Sequence, residues 1–151
     1  IYISPQKVKE CVEKINLGFL FAPTFHSAMK YVAITRKELG FRTIFNMLGP
    51  LTNPAQANAQ LLGVFDESIS ELMAESMKQL GVEHLLVVHG MDGLDEITIT
   101  DRTKITELKD GKLSSYYIEP EDFGIVRSNK KELEGGTPKE NAKIILDIFS
   151  G

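Results

Sequence analysis

Residues 60–89 read QLLGVFDESISELMAESMKQLGVEHLLVVH. Gln60 to Phe65 is a short apolar run of strand length, the pattern of a strand buried on both faces. Ser68 and Glu71 have the S-x-x-E spacing of a capping box, which predicts a helix start. Ile69, Leu72, Met73, Met77 and Leu80 then recur at helical spacing, and Gly81 supplies the stop. His84 to His89 is the clearest buried strand in the chain. Strand, helix and strand in succession predict one right-handed βαβ unit with its strands parallel.

Downstream the texture changes. Ile97-Thr98-Ile99-Thr100 alternates as a half-buried strand does, and Ile105–Leu108 and Leu113–Ile118 flank Asp110-Gly111, a strong hairpin turn signal. Thr137-Pro138-x-Glu140 is a second capping box, and Ala142, Ile145, Ile148 and Phe149 follow it at helical spacing. Upstream, Ser4-Pro5 opens a helix carrying Val8, Cys11, Val12 and Ile15, with Gly18 as its expected stop. Phe19-Leu20-Phe21-Ala22 is apolar without alternation, either a short buried strand or a buried turn. Ser27 to Leu39 reads as a helix ended by Gly40, and Thr43 to Leu51 as a short helix before the Thr52-Asn53-Pro54 turn. The organisation is α/β, with a mixed sheet, flanking helices and an antiparallel hairpin excursion.

The bulk properties agree with a single globular unit. The chain has 151 residues, 42% hydrophobic and 25% charged, which suits one packed domain and argues against disorder. Its net charge of −4 disfavours non-specific nucleic-acid or anionic-membrane binding. Cys11 is the one cysteine, so no internal disulfide is available and nothing points to an oxidising compartment. No apolar run reaches the roughly 18 residues of a membrane span, and the N-terminus has no signal-peptide pattern. The first residue is Ile1 and the opening reads as mid-fold sequence.

Two features could carry chemistry. The strand ending at His89 runs into Gly90-Met91-Asp92-Gly93-Leu94-Asp95-Glu96, and ligands in open α/β sheets sit beyond the carboxyl ends of parallel strands. Asp95 and Glu96, with Asp92 nearby, suit Mg²⁺, which takes one or two carboxylates plus water and phosphate oxygens. A solvated acidic turn is the plain alternative. Arg36 is the sharper anomaly. At 100° per residue from Ala28, Leu39, Val32, Met29 and Ala33 fall between about 20° and 140°, and Arg36 lands near 80°, inside the apolar arc. A guanidinium there needs an acid partner within the protein or an anionic ligand, since an unpaired buried charge is costly. Lys30, Lys37 and Arg42 read as solvated. His84 and His89 read as satisfied strand-end residues, whereas His26, in the turn before the Arg36 helix, either is structural or helps to line a pocket. No zinc spacing, G-x-S-x-G, P-loop or G-x-G-x-x-G occurs, and no residue is assigned a catalytic role.

The order of several blocks resembles the anthranilate phosphoribosyltransferase family. These are Phe19-Leu20-Phe21-Ala22-Pro23-x-Phe25-His26 and Arg36-Lys37-Glu38-Leu39-Gly40-x-Arg42-Thr43-Ile44-Phe45-Asn46-x-Leu48-Gly49-Pro50-Leu51-Thr52-Asn53-Pro54. They continue through Gln60–Val64, Val88-His89-Gly90-x-Asp92-Gly93-Leu94-Asp95-Glu96, Pro120–Gly124 and Gly135-Gly136 before Glu140-Asn141-Ala142.

The resemblance implies a nucleoside phosphorylase/phosphoribosyltransferase-like α/β domain. It implies transfer of phosphoribosyl from phosphoribosyl pyrophosphate to the amine of anthranilate, with release of pyrophosphate, in tryptophan biosynthesis. By the same resemblance Asp95 and Glu96 match the pair that holds Mg²⁺, and Arg36 matches the arginine that receives the anthranilate carboxylate. Gly49 and Pro50 would line the aromatic substrate's path, with His26 near it. A cytoplasmic setting and a homodimer of the full-length enzyme are also implied. Three elements of the family are missing from residues 1–151: the glycine-rich G-T-G-G-D loop, the K-H-G-N segment and the N-terminal helical domain. The family's final strand and helices are missing as well, so residues 1–151 are expected to be a partial α/β domain, inactive alone. Ser27 stands where the family commonly has proline. Two other functions are a non-enzymatic, nucleic-acid-binding relative on the same fold and a pyrimidine nucleoside phosphorylase-like enzyme. The acidic pair and net charge oppose the first, and the Arg36–Pro54 block opposes the second.

Overall fold

The computed structural model describes residues 3–41 and 43–151; Ile1 and Arg42, both remarked on in the sequence, lie outside the described residues. Helices α1 (Pro5–Ile15), α2 (Ala22–Phe25), α3 (Lys30–Leu39) and α4 (Phe45–Leu51) come first. Strand β1 (Ala59–Gly63), helix α5 (Ser70–Gln79) and strand β2 (His84–Gly90) follow, then strands β3 (Thr103–Lys109) and β4 (Lys112–Ile118) and helix α6 (Pro138–Ser150). The sheet order is β1-β2-β3-β4, with β1 and β2 parallel and the remaining pairs antiparallel. This is the mixed sheet expected from the sequence. Asp110 and Gly111 both take positive φ, 50° and 71°, the geometry of the two-residue turn that matches strand twist. Among the described residues, no helix is long and apolar enough to cross a membrane.

Helix α5 covers one face of the sheet. Its Met73, Ala74 and Met77 pack on Leu62 and Val64 of the β1 segment, Leu85 and Val87 of β2 and Leu108 of β3. Alternate residues of a strand share a face, so Leu85 and Val87 meet α5 while Val88 and its partner Ile105 are buried on the other side. Truncating a side chain such as Met73 to alanine removes about 2–5 kcal/mol by the usual cavity cost.

Four local expectations need correction. Helix α5 begins at Ser70, and the cap before it is Asp66, whose carboxylate accepts from the Ser68 N–H at 2.9 Å. The Ser68–Glu71 box does not form because a 3-10 turn, Glu67–Ile69, precedes the helix. Helix α1 stops earlier than Gly18, on Asn16 at φ 56°. Gly18 instead lets the chain pass close to α1, where a Cβ would lie 2.6 Å from Val12 Cγ2. Residues 19–21 form no strand, and Phe19 is exposed, its ring stacked on Phe21 at 6.2 Å. Residues 97–100 also lack strand pairing; their hydroxyls have another use, described below.

A polar seam joins α5 to the hairpin. Glu71 forms an ion pair with Lys104 at 2.9 Å and accepts from Ser115 at 3.0 Å, and buried Thr106 donates to Ser70 at 3.0 Å. The Lys104 ammonium, with hydrogen bonds from Ser70 and Ser115, holds the Glu71 carboxyl down at about 2 against an ordinary 4.5. A carboxylate whose pKa is lower in the folded state stabilises the fold above its unfolded pKa and loses that contribution as pH falls through the folded value. Stability carried by Glu71 is therefore expected to be complete above about pH 4.5 and to vanish by about pH 2. Urea unfolding across that window tests this: Glu71→Gln flattens the acid limb, and an unchanged limb would refute the role.

Candidate functional site

Helix α4 is short and two-faced. Met47 and Leu51, one turn apart, pack against the α5 core and fix the helix on the domain. Phe45, Asn46 and Gly49 look the other way, into a cavity of about 680 Å³ whose opposite wall comes from α2, α3 and the turn between them. At its entrance Asn46 Oδ1 accepts from the Thr43 N–H at 3.0 Å, so the one polar break in the apolar run caps the helix and lines the cavity. At the other end Pro50 lies inside the helix, and the Thr52 hydroxyl, 3.0 Å from Leu48 O and 3.1 Å from Gly49 O, donates to the carbonyls there.

Arg36, His26 and Gly49 line this cavity together, along with Pro23, Lys30 and Asn46. Pro50 follows Gly49 in α4 but is not among the lining residues. The apolar arc of α3 therefore faces the cavity through Met29, Ala33 and Arg36 and buries nothing in the core. Arg36 sits over the Phe45 ring at 5.9 Å. Among the described residues it forms no salt bridge, so the internal ion pair that the helical wheel allowed is not made. Arg36, Lys30 and His26 give the walls two fixed cations and an imidazole, with no acid among the lining residues. An aromatic anion suits such a lining: the apolar walls take its ring and the guanidinium fork its charge.

Lys30 is exposed, as its reading as solvated expects, and it also borders the cavity. Ser27–Met29 is a 3-10 turn and α3 starts at Lys30, which reaches the cavity rim because it lies one turn before Ala33 on the same helix. Lys37 borders a smaller cleft of about 360 Å³ on the other side of Arg36.

The second candidate lies at the carboxyl ends of the parallel strands. β1 ends at Gly63, in register with Val88, β2 runs two residues further to Gly90, and the loop after β2 folds back over Gly63. A Cβ on Gly63 would sit 1.8 Å from the Asp95 carbonyl oxygen, so only glycine permits this approach. Val64 extends the ladder, its N–H donating to Val88 O at 2.9 Å, and its carbonyl accepts from buried His89 Nδ1 at 2.8 Å. His84 meets Glu107 at 3.2 Å, so both strand-end histidines are satisfied.

Asp95 and Glu96 are exposed at the crest of the loop, and neither carboxylate is ion-paired among the described residues. Asp92 is placed differently. Its Oδ1 accepts from the Leu94 N–H at 3.1 Å, and its Oδ2 accepts from Thr98 Oγ1 at 2.7 Å and from Thr100 Oγ1. Burial pushes its carboxyl up, but the hydrogen bonds from Thr100, Thr98 and Leu94 and the Lys130 charge outweigh this and hold it below its ordinary value. Among the described residues no three of His, Cys, Asp and Glu gather as a metal cage. A pair of free carboxylates fits Mg²⁺, which draws its remaining ligands from water and phosphate oxygens.

Comparison with known proteins follows the same lines. A family model described as the glycosyl transferase family, a/b domain, matches residues 1–151. The anthranilate phosphoribosyltransferase of Alkaliphilus metalliredigens is 58% identical over 151 residues, all of this chain and 44% of its own length. The chain thus spans less than half the length of that relative. The crystal structure of the Thermus thermophilus enzyme of that name superposes with a TM-score of 0.83 at 45% identity, over 93% of this chain and 41% of its own. The Saccharomyces cerevisiae enzyme in complex with PRPP and Mg gives a TM-score of 0.82 at 32% identity, over 94% and 40%. Fold, whole-chain family match and relatives agree: the chain belongs to the glycosyl transferase family, as its α/β domain.

Proposed function

We propose that the chain is part of an anthranilate phosphoribosyltransferase, a pentosyltransferase of tryptophan biosynthesis that uses Mg²⁺, phosphoribosyl pyrophosphate and anthranilate. The observation that carries the reading is the acid-free cavity in which Arg36, His26 and Gly49 meet, with Arg36 left without an acid partner among the described residues. Relatives named for this activity support it. Nothing among them supports the nucleic-acid-binding or nucleoside phosphorylase readings. A cytoplasmic homodimer of the complete enzyme goes with the proposal.

In this reading Arg36 accepts the anthranilate carboxylate on its planar fork and Lys30 adds to the attracting field. Gly49, without a side chain, leaves room for the flat ring, with Pro50 behind it and His26 at the edge. The bound amine is thereby aimed at the anomeric carbon. A C–N bond forms there as the C–O bond to pyrophosphate breaks, and the amine loses a proton to solvent. The carbon passes through an oxocarbenium-like state in which positioning supplies much of the rate enhancement. Asp95 and Glu96 would hold Mg²⁺, which when bound neutralises charge on the pyrophosphate leaving group. Residues 1–151 contain no G-T-G-G-D loop, so turnover is assigned to the complete enzyme.

Asp95→Asn and Glu96→Gln test the acidic pair in the complete enzyme. Each is expected to raise the Mg²⁺ concentration for half-maximal rate about thirtyfold, about 2 kcal/mol, and to leave the KM for anthranilate unchanged. An unchanged Mg²⁺ dependence in both variants would return the pair to a solvated turn.

A further inference from the structure

Asp92 belongs to the same acidic loop as Asp95 and Glu96, but its surroundings differ. Its carboxylate is enclosed by donors from within the loop, the Leu94 N–H and the Thr98 and Thr100 hydroxyls. The backbone closes around the same point: Gly93 N–H donates to Gly90 O at 2.8 Å, and Gly90 N–H to Leu94 O at 2.8 Å. A Cβ on Gly90 would lie 2.5 Å from Asp92 Oδ1, so glycine there makes room for the carboxylate. A second segment ties the loop from outside. Lys130 Nζ donates to the Asp92 carbonyl oxygen, and Ser128 N–H donates to Ile99 O at 2.9 Å. At the base, Met91 N–H donates to Arg102 O at 2.9 Å and Thr98 N–H to Thr103 Oγ1 at 3.0 Å.

Both carboxylates of the exposed pair therefore stand between anchored points, Leu94 on one side and buried Thr98 on the other, with Asp92 bonded to both. We propose that Asp92 is a positioning residue: it never contacts the cation, and it holds the 93–97 crest so that Asp95 and Glu96 present their carboxylates together. Lys130 is the external half of the same device. This deepens the proposed role of Asp95 and Glu96 and rests on it. The alternation at 97–100, strand-like in sequence, finds its explanation here. Thr98 and Thr100 share a side because both hydroxyls serve one carboxylate. Groups that orient metal-binding carboxylates typically change metal affinity by 10–100-fold when removed.

The test uses the complete enzyme, with Mn²⁺ binding followed by electron paramagnetic resonance and backbone exchange of residues 93–98 followed in metal-free protein. Asp92→Ala and Thr100→Val are expected to weaken Mn²⁺ binding about tenfold and about threefold, and to accelerate exchange of the Leu94 and Thr98 amides without metal. Asp92→Asn keeps an acceptor for Leu94 and is expected to restore most of that amide's protection. The KM for anthranilate stays within twofold in all three, and exchange of the buried Met73, Val87 and Leu108 amides stays at the parent rate, which a general loss of folding would not leave intact. Normal Mn²⁺ binding in Asp92→Ala while Asp95→Asn is impaired overturns the positioning role. Faster exchange with normal Mn²⁺ binding makes Asp92 a loop brace without bearing on the metal and also overturns it. If Asp95→Asn and Glu96→Gln bind Mn²⁺ normally, the reading of the pair itself fails, a distinct result.

Discussion

Replacing Arg36 with alanine in the complete enzyme is expected to lower kcat/KM for anthranilate about a hundredfold and to leave the KM for phosphoribosyl pyrophosphate within about twofold. The size follows from the chemistry of a fork on a carboxylate. Two charge-assisted hydrogen bonds in a half-apolar cavity are lost, each about 1.5–3 kcal/mol net, part of which water entering the emptied space restores, and a hundredfold corresponds to about 2.7 kcal/mol. The structure adds a reason why the loss is not shared. No acid lines the cavity and none pairs with Arg36 among the described residues, so alanine strands no internal partner and the fold is spared. Arg36→Lys is expected to recover only part of the rate, because an ammonium cannot meet both carboxylate oxygens in one plane. Aniline, which lacks the carboxylate, provides the control: the parent and Arg36→Ala enzymes are expected to use it equally poorly. An equal loss for both substrates, or a loss that persists with aniline, would show that Arg36 supports the fold and does not receive the carboxylate.

How much of this was legible in the sequence depended on the range of the interactions involved. His84–Gly90 and the Asp110-Gly111 hairpin were readable because burial on both faces and a positive-φ turn leave local marks in residue type. Arg36 was readable as an anomaly, since a charge inside an apolar arc breaks a local rule, although the arc turned out to face a cavity instead of the core. Where the sequence misled, a nonlocal partner had overridden a local pattern. Ile97–Thr100 has the period and the β-branched residues of a strand, yet the Asp92 carboxylate claims its hydroxyls and bends the chain. Lys30 is exposed, as its type suggests, and borders the cavity as well because it lies one turn before Ala33. The contact between Gly63 and Asp95 left no mark in either local sequence. Gly63 sits inside an apolar strand, where its missing side chain means nothing until the loop closes over it.

That contact gives a large expected effect on stability. Gly63→Ala is expected to cost the fold about 3 kcal/mol, the upper end of the range for overpacking, because the added methyl would lie 1.8 Å from a backbone oxygen. A flexible side chain could swing aside, but the Asp95 carbonyl belongs to a loop held at both ends by Asp92, Thr98 and Thr103. Relief therefore requires the strand end or the whole loop to move. Shortening the neighbouring side chain does not help, since Asp95→Gly leaves the carbonyl in place, and the double variant Gly63→Ala/Asp95→Gly is expected to remain as unstable as Gly63→Ala. The displacement also carries the acidic pair with it, so the folded fraction of Gly63→Ala is expected to need more Mg²⁺ than the parent enzyme at unchanged anthranilate KM. Gly49→Ala serves as the contrast for stability: beyond its chain neighbours and its own helix backbone nothing lies within 4 Å of a Cβ there, and the change sits in a helix, where alanine is favoured over glycine. Urea unfolding of the two variants decides the matter. If Gly63→Ala keeps the parent midpoint, the loop is not seated on β1; a large drop with Gly49→Ala near the parent places the acidic pair on the strand end.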